Sequence, residues 1–275
     1  MAKSREELEE LARQIRIDIV NMTHNSGVKG AHLGGSMSIA DIMAVLYGSV
    51  MNIDPKNPTM DERDRVILSK AHAAMTLYAA LHHTGFITGD IIDSAMHGES
   101  LLYEHPKKSP EMGIESSGGS LGMGLSFGMG MALGLKKKGN DKSRVFVIIG
   151  DGECDEGSIW EAANAVIHYE LNNLVTIIDE NGLQYDGTPS EVMKIGSMKA
   201  RWESVGFDVV EVDGHDVLIL QEELSKERKV PTVLICKTVK GKGISFAEDR
   251  VEWHSEKVTE ELLEQAMKDL GEIND

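Results

Sequence analysis

The chain has 275 residues, 41% of them apolar, and a formal net charge of −17 from 28 Lys and Arg against 45 Asp and Glu. The apolar share suffices for a folded core and excludes wholesale disorder. The acidic balance excludes nucleic-acid binding through a broad basic face, which needs clustered Lys and Arg. Two cysteines, Cys154 and Cys236, are too few for a disulfide scaffold, and the opening MAKSREELEE lacks the apolar stretch of a signal peptide, so a soluble cytoplasmic protein is expected.

The spacing of Leu8, Leu11, Ile15 and Ile19 predicts a helix over 4–22, with Ser4 and Glu7 as a capping box. A glycine-rich loop, NSGVKGAHLGGS, is expected over 25–36, then a helix over 39–50. The stretch DPKNPTMDERD reads as turn and loop; RVIL is a short apolar run ending in SKAH, and a helix is expected over 73–84. Residues 97–118 show no sustained period. Residues 116–135 carry no charge, are dense in glycine and are long enough to raise the question of a membrane span, but the flanking segments read as a mixed α/β protein and favour a soluble packing helix running to about 138. Its Gly124/Gly128 and Gly130/Gly134 spacings would let neighbours approach closely.

From Arg144 onward strands and helices alternate. RVFVIIG, LVTIID, FDVVEV and PTVLICKT read as strands; EGSIWEAANAVIHYE, a segment ending near Val205, and DVLILQEELSKER read as helices. This rhythm predicts an α/β fold: a mostly parallel sheet flanked by helices on both faces. No linker or repeat is visible, so one domain is expected over 1–275, with an N-terminal helix and a helical tail over 259–270.

Open parallel sheets bind ligands beyond the carboxyl ends of their strands. RVFVIIG runs into Asp151-Gly152 and LVTIID runs on to Asn181, with positions 153–180 between them, the length of one helix and one strand. If those strands are neighbours, the Asp151 carboxylate and the Asn181 amide oxygen share one crevice. Both are hard oxygen donors suited to Mg²⁺ or Ca²⁺, and Gly150 and Gly152 leave room for a diphosphate. Asp151 alone reads first as a strand-end cap for the following helix; the Asn at the next strand end turns the reading to the site.

The pair GDGECDEG and IIDENGLQYDG resembles the thiamine-diphosphate motif. NSGVKGAHLGGSMSIADI, RVILSKAHAAMTLYAALHHTGF, HPKKSPEMGIESSGGSLGMGLSFGMGMALG, ICKTVKGKGISF and VEWHSE are similar, in order, to segments of transketolases. The match spans nearly the whole chain but corresponds only to the family's diphosphate-binding domain. The chain therefore resembles the N-terminal subunit of a split transketolase.

The resemblance implies that Asp151, Asn181 and the Leu183 carbonyl hold a divalent metal, Mg²⁺ with Ca²⁺ or Mn²⁺ as substitutes. Gly150, Gly152 and Glu153 would lie along the diphosphate, and Gly119, Ser120 and Leu121 near the cofactor rings. Glu156 and Glu161 match acidic positions between cofactor sites; Glu161 reads equally well as an exposed helix residue. Of the ten histidines, His82, His83 and His168 read as structural or surface residues. His32, His72, His105 and His254 lie in loops or at element starts, where functional groups gather.

Transketolase chemistry needs a base for the donor hydroxyl proton. His32 and His254 would serve it, His105 would bond the two-carbon unit, and His72 would sit by the diphosphate. Three departures from the family stand out: Met123 in place of Gln, Ala71 in place of Gly, and extra residues Val28-Lys29-Gly30-Ala31 that could shift His32. Cys154 has no visible base partner and reads as packing.

The implied partner is a C-terminal subunit carrying the pyrimidine-binding domain, in an A₂B₂ assembly acting on sugar phosphates, with no nucleic acid and no membrane. The alternatives are a subunit of a deoxyxylulose-phosphate synthase or α-ketoacid dehydrogenase, or a catalytically silent scaffold.

Overall fold

The computed structural model describes residues 3–98 and 100–273. Helix α1 spans Arg5–Asn25; Ser4 accepts the Glu7 amide while the Glu7 carboxylate accepts the Ser4 amide, so two otherwise orphaned donors are satisfied. The glycine-rich segment is not all loop. After a 3₁₀ turn over Gly27–Lys29, Leu33–Met37 forms a short helix, α2. Its glycines are needed for contact: a β-carbon on Gly34 would lie 2.7 Å from the Trp253 carbonyl, and one on Gly35 would lie 3.2 Å from His72. Helix α3 (Ala40–Val45) continues as a wider π turn over Leu46–Val50. Strand β1 is Arg65–Leu68, and α4 (Ala74–His83) follows a 3₁₀ turn over Ala71–Ala73. A short α5, Gly89–Asp93, precedes the irregular stretch.

The Gly/Met helix, α6, covers only Met123–Lys137, because residues 116–122 are loop. Among the described residues no helix is long and apolar enough to cross a membrane. Gly124 and Gly128 pack as expected: β-carbons there would fall 2.3 Å from Ser69 and from Val147, so α6 lies directly on the sheet. Gly130 and Gly134 differ from expectation, having open space where a β-carbon would be. They lie on the side of the helix turned from the sheet.

The second half alternates β2 (Val145–Gly150), α7 (Gly157–His168), β3 (Leu174–Glu180), α8 (Pro189–Val192), α9 (Met198–Val205), β4 (Asp208–Asp213), α10 (Val217–Ser225), β5 (Thr232–Lys237) and α11 (Glu260–Asp269). All strand pairings are parallel, in the order β1-β2-β3-β5-β4. Alternation along each strand feeds two apolar layers. Phe146, Ile148, Val175, Ile177 and Leu234 meet the layer of α1, α3, α4, α10 and α11. Val145, Val147, Ile149, Leu174, Ile178 and Ile235 meet α6, α7 and α9. The sheet is thus covered on both faces, as parallel sheets require.

Candidate active site

The register pairs Gly150 with Asp179, so β2 and β3 end side by side and deliver Asp151 and Asn181 to one edge. The Asp151 carboxylate points across that edge, accepting the Gly152 amide at 2.8 Å and the Gly182 amide at 2.9 Å. Asn181 donates to Asp179 at 2.8 Å, and its amide oxygen accepts the Leu183 N–H at 3.2 Å. Burial, and then the neighbouring Asp179, push the Asp151 carboxyl up to about 6. A buried carboxylate facing another, beside an amide oxygen and the Leu183 carbonyl, is a hard-oxygen set that a divalent cation would relieve. The donors present fit such an ion.

Beneath lies a saturated ion pair that sequence reasoning missed. Lys70, at the tip of β1, reaches Asp179 at 2.5 Å and the Gly35 carbonyl at 2.7 Å. Asp179 also accepts from Ser38 at 2.8 Å and from Thr238. Burial works against its ionisation, but Lys70 and the hydroxyls hold its carboxyl below the usual range. The only sequence signal was an acid ending an apolar strand, LVTIID, and a lysine two residues before His72.

Glu153 proves to be a brace. Its carboxylate is buried and accepts from Ser69, from the Gly122 amide at 2.7 Å and from the Gly150 amide at 3.1 Å. It ties β1, the 119–122 loop and the GDG turn together, so its oxygens face protein on all three sides. Gly122 adopts a left-handed φ of 81°, and a β-carbon there would strike Ser158 at 2.5 Å. Gly119, Ser120 and Leu121 stand exposed on this loop, and Glu156 is exposed at the start of α7. Ala71 is buried, and its methyl takes the space where a β-carbon on Gly118 would sit, 2.5 Å away. Cys154 is buried with its thiol pushed well up by burial, so it is no nucleophile.

The four loop histidines converge. The His32 ring centroid lies 5.3 Å from His72, 6.1 Å from His105 and 5.3 Å from His254; His72 and His254 stack at 5.3 Å. His32 joins this cluster with the extra residues in place before it. Val28 projects outward, 94% exposed, and Ala31 forms an antiparallel bridge with Glu256 that sets His32 beside His254. Glu104 comes within 3.1 Å of His32 Nδ1, at an angle that makes no hydrogen bond.

Two further groups complete the cluster. Tyr185 meets the His254 ring edge-on at 5.0 Å. Lys240 Nζ lies 3.1 Å from His254 Nδ1 and donates to the carbonyls of Leu183 at 3.3 Å and Gln184 at 3.1 Å. Burial and the nearby Lys70 lower Lys240 to about 8. Burial, then Lys240 and His32, push His254 down to about 3; burial also lowers His32 and, together with Lys70, takes His72 well down. These imidazoles are neutral near pH 7.

The family model for the transketolase, thiamine diphosphate binding domain matches residues 4–274. The chain is 38% identical to an apulose-4-phosphate transketolase subunit from Actinobacillus succinogenes over 269 residues, 97% of each chain. It is 36% identical to the 6-deoxy-6-sulfo-D-fructose transketolase subunit SqwG of a Clostridium species, over 87% of this chain and 88% of that one. It superposes on a transketolase structure from Campylobacter jejuni with a TM-score of 0.90 and 28% identity, covering 98% of this chain and 43% of that one. The chain belongs to the transketolase family. It corresponds to the N-terminal, thiamine-diphosphate-binding part and spans under half the length of that solved enzyme.

Proposed function

We propose that this chain is the N-terminal, cofactor-binding subunit of a two-chain transketolase, folding as one domain and working in the cytoplasm. It transfers a two-carbon ketol unit from a ketose, in its phosphate form or a related anionic form, to an aldehyde acceptor. The observation that carries this reading is the meeting of His32, His72, His105 and His254 beside Asp151 and Asn181. Four distant segments of chain bring these histidines together, and Lys240 links His254 to the Leu183 carbonyl of the hard-oxygen set.

Asp151, Asn181 and the Leu183 carbonyl would hold Mg²⁺; the carbonyl keeps a second lone pair while accepting from Lys240. Gly150 leaves the diphosphate an open approach, whereas at Gly152 the expected room is taken by Gln184, whose side chain lies 2.7 Å from where a β-carbon would sit. Thiamine diphosphate, when bound, supplies a nucleophilic carbon and a sink for the electrons of the breaking C–C bond. The remaining work belongs to this chain. His32 and His254 accept the donor hydroxyl proton, a task that needs uncharged imidazole. His105 orients the two-carbon unit, and His72 lies between it and the diphosphate side.

The relatives named as transketolase subunits support a second chain, proposed to carry the pyrimidine-binding domain in an A₂B₂ assembly. So does the outer side of α6 with the loop before it, where Leu121 on the loop and Met123 and Phe127 on the helix stand exposed. Met123, the departure from glutamine, is among them and does not reach the histidines through any hydrogen bond. The test is to assay the chain alone and mixed with its partner, Mg²⁺ and thiamine diphosphate, with ketose phosphates and with pyruvate. Ketol transfer only in the mixture is expected. Full turnover by the chain alone, or turnover of pyruvate in place of ketoses, would overturn the proposal.

A further inference from the structure

Among the described residues, one cluster of side chains outside the active site is arranged like a set of ligands. Asp18 projects from α1 toward the last turn of α4, where His82 and His83 are consecutive. One carboxylate oxygen, Asp18 Oδ2, lies 2.8 Å from His82 Nδ1 and 3.0 Å from His83 Nε2. Only the His82 contact is a hydrogen bond; His83 Nε2 is buried from water and has no hydrogen-bond partner. The three ligand atoms lie within 4.8 Å of one another, and the rings are tilted by 44° at a centroid separation of 4.8 Å.

We infer that Asp18, His82 and His83 form a binding site for a divalent transition metal of the zinc type, separate from the cofactor site. Two imidazoles and one carboxylate are a borderline donor set that suits Zn²⁺, Co²⁺ or Ni²⁺ and not Mg²⁺. Ligand atoms of a tetrahedral zinc stand about 3.3 Å apart at ordinary bond lengths. The observed 2.8 and 3.0 Å separations need to open by only about half an ångström. The metal would use the lone pair that His83 Nε2 leaves unpaired, and water would complete the coordination. It would also cross-link α1 to α4, the helices that lead into His32 and follow His72.

The test uses the full chain, stripped with chelator and given Zn²⁺ or Co²⁺. Because the catalytic histidines can also take such ions, position must be read as well as amount. Anomalous diffraction at the zinc edge should show a peak among Asp18, His82 and His83. Metal titration should then show one equivalent fewer in His82→Asn/His83→Asn than in the wild type, with the equivalent retained in His72→Ala. The zinc-induced rise in melting temperature should shrink to match. Asp18→Asn is the second variant, expected to weaken that equivalent at least tenfold, so a folding defect in the double variant does not decide the matter. Anomalous density confined to the catalytic histidines, or an unchanged stoichiometry in both variants, would overturn the inference.

Discussion

The two ends of the sheet treat buried charge in opposite ways. At the amino ends of β1 and β2, Asp64 is buried and fully engaged. It accepts from the Arg144 amide at 2.6 Å, the Arg144 guanidinium at 2.9 Å and the Asn52 amide at 3.0 Å, while Arg144 caps the carbonyls of Val50 and Leu224. At the carboxyl ends, Asp151 has two backbone donors and a like charge for a neighbour. His32, His72 and His254 are held neutral by burial and by two lysines. The amino end holds the strands together. At the carboxyl end Lys70 is taken up by Asp179, and Asp151 is left without an ion-pair partner among the described residues, which leaves a place for a bound cation.

The sharpest way to break this comparison is His254→Ala. With partner and cofactors, kcat/KM should fall by about 10²–10⁴, the usual worth of a positioned base, while circular dichroism is unchanged. A loss under tenfold would remove His254 from the proton path. Lys70→Met tests the ion pair beneath the site. Leaving Asp179 buried and unpaired should cost about 3–5 kcal/mol in urea unfolding, and adding Asp179→Asn should recover much of it.

Asp151→Asn should act with the opposite sign. The folded carboxyl titrates near 6, above its ordinary 3.8, so ionised Asp151 destabilises the metal-free fold most fully above pH 6. That penalty shrinks as pH falls from 6 toward 3.8, where the native state holds the extra proton. The variant should therefore be more stable than wild type at pH 7 by up to about 3 kcal/mol, with the gain vanishing by pH 4, and inactive in ketol transfer. Asp64→Asn at the other end should destabilise at pH 7. If both aspartate variants shift stability the same way, the contrast between the two ends is wrong.

Smaller effects probe the surrounding loop and surface. Gly118→Ala should cost about 1–3 kcal/mol through the clash with Ala71, and Ala71→Gly in the same chain should restore it, as a double-mutant cycle would show. Phe127→Ser, on the exposed side of α6, should change the melting of the isolated chain within about 0.5 kcal/mol. It should nevertheless weaken assembly with the partner in sedimentation.

Apart from the four histidines and the metal set, which the family resemblance supplied, what the sequence discloses is what depends on near neighbours. The capping box at Ser4, the apolar runs RVFVIIG and LVTIID, and the GDG turn are local patterns, and with Asn181 at the next strand end they define the layered sheet and one edge of the site. The glycine-rich segment departs from the expected loop at Leu33–Met37, which is helical and packs closely on Trp253 and His72. Lys70, Asp179 and Lys240 escaped notice because each gains its meaning from a partner far away in the chain. The same holds for Glu153 as a brace, for Ala71 against Gly118, and for Asp18 beside His82 and His83. Periodicity reports which face of an element is buried. Which charge meets which, and which is left wanting a partner, is decided only when the strands take their order and their tips converge.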